Sequence, residues 1–366
     1  MENTITDTVA HICAANKGNS DILIHADAVI RYRDHLGDIR QWGEKQMCFD
    51  EVASLLRTGV EAEKKTMVDE MLKRGGQFDD TVTIDNMRFR ANAFLHSGDR
   101  KLGIVLRRTR DDIPSFDELG LDFQLQDWLN NRTGLILVTG PTGSGKTATL
   151  AAMVDYLNSH YAGHTILLED PIEYVHTHKK GFLTQREVGR DVTSFSQGLR
   201  ASLRQNPNYI VVCEMRDRET METALQAAET GHLVLGTLHT SSALHTPTRI
   251  LDFFPEDVRP LIRSQLATSL RGILAQILVP RADASGKVLM TEALSNYPDV
   301  QNIIRKGEFL QLSNVLKNPG QRLNTWLLND KLAQAVEGGK ITLEAGMQAT
   351  YNRAELEQLL QFGSAG

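Results

Sequence analysis

Gly140-Pro141-Thr142-Gly143-Ser144-Gly145-Lys146-Thr147 stands between an apolar run, Leu135-Ile136-Leu137-Val138, and a helix-forming one, Ala148 to Leu157. This is the pattern of a phosphate-binding loop in the context it requires, strand before and helix after. Glycines let the backbone wrap closely around phosphate oxygens, and the loop's N–H groups point inward at the mouth of the following helix. Lys146 adds a point charge for the β- and γ-phosphates, and the Thr147 hydroxyl is the natural ligand of Mg²⁺. The stretch from Gly140 to Thr147, with Ala148 next to it, therefore predicts a site for ATP and Mg²⁺. A glycine-rich turn that merely linked strand to helix would leave Lys146 and Thr147 unexplained.

Outward from the loop, helix and strand alternate in the βαβ manner that implies a parallel sheet. A helix is expected over Phe116 to Leu129, and further strands over Thr165–Leu168, Tyr209–Val212 and Leu233–Leu238. Positions 258, 262, 266, 270, 274 and 278 are all apolar, which predicts one long amphipathic helix from Val258 to Leu278. Asp283 to Gly286 reads as a turn before a strand, Val288 to Ala293. From Asp299 to Phe362 several helices are broken at Pro319-Gly320 and Gly338-Gly339.

The first hundred residues carry no phosphate signature. A helix at Thr8–Asn16 precedes a strand at Asp21–Ile24 and a hairpin, Val29–Arg33 with Ile39–Trp42, around Gly37-Asp38. Helices are expected near Phe49–Leu56 and Glu61–Lys73. Strands follow at Val82–Ile84 and Met87–Phe94, joined by an Asp85-Asn86 turn, and at Leu102–Arg107. The expected organisation is a small α+β domain over 1–108, a polar linker over 109–115 holding Pro114, and an α/β nucleotide-binding domain over 116–366. Residues 297–366 form the helical tail of the latter.

The chain has 366 residues, long enough for two domains, with 41% hydrophobic and 23% charged residues, as in an ordinary globular protein. No run approaches the roughly 18 apolar residues of a membrane span, and the N-terminus lacks a signal-peptide pattern. A cytoplasmic protein is expected, meeting a membrane only through partners. Cys13, Cys48 and Cys213 are far apart, without metal or redox spacing, so reduced cysteines are expected. A formal charge of −6 weighs against direct nucleic-acid binding.

Hydrolysis needs groups to position metal and water. Glu169-Asp170-Pro171-Ile172-Glu173 closes the strand Thr165–Leu168, so its carboxylates emerge at the carboxyl edge of the sheet beside the loop. Glu214 directly follows the apolar run Tyr209–Cys213, the topology of a Walker B acid. His232 and His239 bracket the third strand, and a histidine there can donate to a γ-phosphate oxygen. Three strands delivering polar groups to one edge is the informative convergence. Singly, Glu173 can also be read as a solvated or capping carboxylate, Glu214, followed by Arg216-Asp217, as part of an inter-element salt bridge, and His232 as a structural histidine.

Taken in order, the loop, Glu-Asp-Pro-Ile-Glu-Tyr-Val-His (169–176), Gln-Arg-Glu-Val-Gly-Arg-Asp (185–191), Glu-Met-Arg-Asp (214–217) and Thr-Gly-His-Leu-Val-Leu-Gly-Thr-Leu-His-Thr (230–240) resemble the secretion ATPases of the PilT group. These are retraction motors of type IV pili. The similarity runs from Ser20-Asp21 to about Lys306. It implies a PAS-like N-terminal domain, a RecA-like ATPase domain, a homohexameric ring, and a platform protein at the cytoplasmic face of the inner membrane as partner. It also implies that Glu214 and Glu173 handle metal and attacking water, that His239 senses the γ-phosphate, and that arginines of the N-terminal domain reach a bound nucleotide. Met87-Arg88-Phe89-Arg90-Ala91-Asn92 and Gly103–Arg107 match there, making Arg90 and Arg107 the candidates; without the resemblance both read as surface charge.

Two departures stand out. Cys213 occupies a position that is usually glycine in the family. Its late Ala-Ile-Arg-Asn-Leu-Ile segment, tied to retraction, appears only as Val300-Gln301-Asn302-Ile303-Ile304-Arg305. Three rivals stay open: a conjugative or type IVB secretion motor, a nucleic-acid translocase on the same core, and a nucleotide-binding regulator without hydrolysis.

Overall fold

The computed structural model describes residues 4–15, 21–34, 37–98, 101–109, 112–320 and 322–363. Residues 110 and 111 of the expected linker, Asn16 and Ser20 lie outside them. The chain divides into two units, Met1–Asp111 and Asp112–Gly366.

In the first unit the order is α1 (Ile5–Ala15), β1 (Asp21–His25), β2 (Ala28–Arg33), β3 (Ile39–Met47), α2 (Phe49–Gly59), α3 (Lys65–Arg74), β4 (Gln77–Ile84), β5 (Met87–His96) and β6 (Lys101–Arg108). The strands form one sheet in the order β3-β2-β1-β6-β5-β4, every pairing antiparallel. Asp85 and Asn86 turn the β4–β5 hairpin with φ of 48° and 59°, values that short polar side chains tolerate best after glycine. Alternate residues such as Ile22 and Ile24, or Phe89, Ala91 and Ala93, face a core shared with Val52, Leu55 and Leu56 of α2. One face of the sheet is thus covered by helices, as an antiparallel sheet permits.

The second unit opens with α4 (Phe116–Leu119) and α5 (Gln126–Leu129). One continuous helix over Phe116–Leu129 was the expectation. The chain breaks because Gly120, at φ 67°, closes the first helix in a left-handed cap. The order continues through β7 (Gly134–Thr139), α6 (Lys146–His160), β8 (His164–Glu169), β9 (Phe182–Glu187), α7 (Phe195–Ser202), β10 (Tyr209–Val212), α8 (Arg218–Glu229), β11 (Leu233–Leu238), α9 (Thr246–Asp252), α10 (Arg259–Ser269), β12 (Leu270–Pro280) and β13 (Lys287–Ser295). Helices α11 (Pro298–Lys306), α12 (Leu312–Lys317), α13 (Leu328–Glu337), α14 (Leu343–Ala349) and α15 (Arg353–Gly363) complete it.

Its sheet runs β13-β12-β7-β11-β10-β8-β9, parallel except for the β12–β13 hairpin. Strands β7, β10 and β11 are buried along their whole length because helices cover both faces, hence their unbroken apolar runs. Within β7, Leu135 and Leu137 enter one core while Ile136 and Val138 enter the other. This is the mixed α/β class expected.

The long helix expected over Val258–Leu278 is not there. Helix α10 ends at Ser269 and the chain becomes β12. A spacing of four is ambiguous, since it marks one face of a helix and, being even, one face of a strand. Gly272 disfavours a continued helix, and the β-branched Ile273, Ile277 and Val279 favour the strand. Among the described residues no helix is long and apolar enough to cross a membrane.

Candidate active site

Strand β7 ends at Thr139, and the loop turns on three glycines with positive φ: Gly140 at 147°, Gly143 at 79° and Gly145 at 88°. At Gly140 nothing larger fits, because a Cβ would lie 2.3 Å from the Gln276 carbonyl oxygen and 2.5 Å from Ser144 Oγ. Gln276 of β12 also grips the loop by donating from Nε2 to the Ser144 carbonyl at 2.7 Å. Pro141, Thr142 and Gly143 form the exposed crown. Lys146 is the first residue of α6, so the free N–H groups of the helix's first turn open into the loop together with its ammonium.

That ammonium donates to the carbonyls of Gly140 at 2.8 Å and Pro141 at 3.0 Å. Burial pulls its pKa below the usual lysine range, while Glu214 and Glu173 act in the opposite sense. Lys146 is therefore within electrostatic reach of both acids. The hydroxyls of Thr139 and Ser144 are buried beside the loop, without a hydrogen-bond partner among the described residues. Helix N–H groups, a desolvated cation and orphaned hydroxyls are a donor set that suits a polyphosphate.

Glu214 leaves the carboxyl end of β10 and binds both His239, which follows β11, and Arg216. Its side chain is 15% exposed. Burial raises its pKa, but the hydrogen bonds from Arg216 and His239 more than offset this and hold it below the usual carboxylate range. Glu214 is thus an anion already oriented by two donors.

Behind α6, Thr147, Glu169, Tyr174, His176 and Cys213 line one small cavity. Glu169 is 3% exposed. Burial lifts its pKa to about 8, against the hydrogen bond it accepts from Gln185 Nε2 at 2.8 Å. Gln185 also donates to the Tyr174 carbonyl and accepts from the His176 N–H, pinning the 169–176 segment to β9. Burial drives His176 down to about 4. The Cys213 thiol, pushed well above its ordinary range by burial, packs against the core on the α6 side of the sheet.

The structure thus gathers Lys146, Glu173, Glu214 and His239, with Thr147 and Glu169 sharing the cavity behind the loop. His232 is the exception. It precedes β11 and sits beside Gly134, at the start of β7, where its Nδ1 meets the Ala227 carbonyl at 3.1 Å. Six strand residues, about 20 Å, separate it from the loop. Only the carboxyl ends of parallel strands reach this edge, and His232 lies at the amino end of β11, away from the loop.

Arg90 and Arg107 belong to the first unit and are directly opposed across β5 and β6. Each forms a two-pronged pair, Arg90 with Asp79 at 2.9 and 3.1 Å and Arg107 with Asp21 at 2.9 and 3.2 Å. Gln276 escaped the sequence reading, although a lone amide inside the apolar run Leu274–Leu278 was a signal. The mistaken helix there hid its alignment with the loop.

A glycine-rich loop at the carboxyl edge of a mainly parallel sheet, flanked by acids from neighbouring strands, fits a RecA-like α/β fold. Over residues 1–322 the chain matches the family described as Type II/IV secretion system protein, and it belongs to that family. It is 38% identical over 316 residues to the type IV pilus retraction ATPase PilT of Pseudomonas aeruginosa, covering 86% of this chain and 89% of that protein. The crystal structure of the pilus retraction motor PilT with bound ADP superposes with a TM-score of 0.85 at 38% identity, over 98% of this chain and 100% of that one. The Legionella pneumophila ATPase DotB follows at 0.81 and 26% identity, over 93% and 94% of the two chains.

Proposed function

We propose that the chain is an ATP-hydrolysing motor subunit that works as a homohexamer on a platform protein at the cytoplasmic face of the inner membrane, driving type IV pilus retraction. The observation that carries the reading is Glu214, desolvated, tied to His239 and Arg216, and within electrostatic reach of Lys146. In the proposed reaction Lys146 gives up its loop carbonyls for the β- and γ-phosphates, and the first N–H groups of α6 hold their oxygens. Glu214 and Glu173 orient the attacking water. His239 reports cleavage through its bond to Glu214. Thr147 and Glu214 would hold Mg²⁺, which would supply neutralisation of phosphate charge. No group of three or more His, Cys, Asp or Glu among the described residues is placed to hold a metal; a magnesium site built mostly from phosphate and water needs none. Arg90 and Arg107 would leave Asp79 and Asp21 to meet the transferring phosphoryl group.

A second reading, the motor of a secretion or transfer machine, is supported by the family description and by the altered Val300–Arg305 segment. Lys146→Ala and Glu214→Ala should each lower ATP turnover by at least about a hundredfold. Undiminished turnover in either removes the site. In the source bacterium, deletion of the gene should leave excess, immobile surface pili. Loss of secretion or plasmid transfer with normal twitching would favour the second reading.

A further inference from the structure

Glu292 is a carboxylate that the reaction above does not use, although it sits 1% exposed in the same sheet. Parallel pairing places Leu238 beside Thr139 and Thr139 beside Ala275, and the β12–β13 hairpin places Ala275 beside Glu292. This row of four strands ends one residue short of both Gly140 and His239. Glu292 therefore lies level with the two elements that read a triphosphate.

Its carboxylate joins three segments distant in the chain. It accepts the Ala243 N–H at 2.7 Å, the Leu328 N–H at 3.3 Å and the Tyr351 hydroxyl at 2.5 Å. Ala243 belongs to the segment that leads away from His239. That segment is closed by its own hydroxyls: Thr240 Oγ1 meets Thr246 Oγ1 at 2.7 Å, and Thr246 donates to the Ser242 carbonyl at 2.9 Å. Leu328 starts α13, and Tyr351 links α14 to α15, so both belong to the C-terminal helices. Tyr351 is 40% exposed but turns its hydroxyl inward. Its neighbours hold it so, because Asn329, fully buried, accepts from Thr350 Oγ1 at 2.5 Å and donates to the Asn352 carbonyl at 3.0 Å.

A buried carboxylate is expensive unless its lone pairs are met, and here each donor comes from a different segment. We propose that Glu292 is a positioning residue through which the C-terminal helices set the seat of His239, with Tyr351 as the contact that reports their placement. Moving α13–α15 withdraws the Leu328 and Tyr351 donors, leaving the carboxylate held by Ala243 alone and shifting the segment behind His239. Turnover is thereby conditioned on how the C-terminal helices are held. The inference rests on the ATPase reading of the site.

Tyr351→Phe removes one hydroxyl and no packing volume, so it tests the idea with little risk to folding. In the full chain it should lower kcat about tenfold and leave KM for ATP within about twofold, the signature of a lost positioning interaction. Hydrogen exchange across 240–246 should quicken in the same protein, with a small change in Tm. Glu292→Gln should move both readouts the same way; if it fails to fold, Tyr351→Phe carries the test alone. Wild-type kcat in Tyr351→Phe overturns the inference, as does a fall matched by a raised KM and lowered Tm. Should wild-type protein show no turnover above Lys146→Ala, the reading of the site fails and this inference with it. If the wild type hydrolyses ATP and Tyr351→Phe does the same, only this inference fails.

Discussion

Glu169 illustrates how far a single residue's chemistry departs from its place in a motif. Its position closing β8 implies an ionised group beside the nucleotide, yet it is buried with Gln185 as its partner and a pKa raised to about 8. A raised carboxyl pKa means the folded chain holds a proton that the unfolded chain has released. Its penalty is absent below the unfolded value, near 4.5, and grows as pH rises to about 8. His176, depressed to about 4, works oppositely between about 4 and 6.5, but it is common to wild type and variant and cancels in their difference. Glu169→Gln should therefore gain stability relative to wild type between pH 5 and 8, read as Tm at each pH. Parallel curves for the two proteins would show that the carboxyl is not held protonated.

At the scale of elements, β12 carries more than pattern reading assigned to it. Paired with β7 on one side and β13 on the other, it brings Gln276 to the phosphate loop and Gly272 under Trp128. A Cβ at Gly272 would lie 2.3 Å from the Trp128 ring, and the indole N–H reaches across to Ser295 Oγ at 2.8 Å. Gly272→Ala should thus cost about 1–3 kcal/mol by overpacking a rigid ring. Thermal or urea unfolding measures it, and an unchanged midpoint would mean that the ring moves aside freely. The period-four pattern could not reveal this, being as even for a strand as it is regular for a helix. The runs at β7, β10 and β11 had no such ambiguity, because burial on both faces of a parallel sheet leaves little room for polar residues.

At the scale of the whole molecule, the first unit supplies two arginines whose role in turnover can be tested directly. Arg90 and Arg107 hold solvent-facing ion pairs with Asp79 and Asp21, and such pairs are worth roughly 0–1 kcal/mol. Arg90→Ala and Arg107→Ala should accordingly leave Tm almost unchanged. If these side chains serve the transferring phosphoryl group, turnover should fall by about a thousandfold. Wild-type turnover in both variants would return them to plain surface charge.

Contiguous elements were legible in the chain alone. The eight residues of the phosphate loop, the buried strands and the acids directly behind them needed only local spacing, since a strand's end and the residue after it are neighbours by covalent connection. The α/β class followed from the same runs. Tertiary structure decided what depends on which end of a strand faces which edge, and on residues that meet across the sheet. It moved His232 to the far edge, turned half of an expected helix into β12, and joined Glu292 to Ala243 and Tyr351. Pairing direction and register are set by packing between distant segments, and no local pattern encodes them.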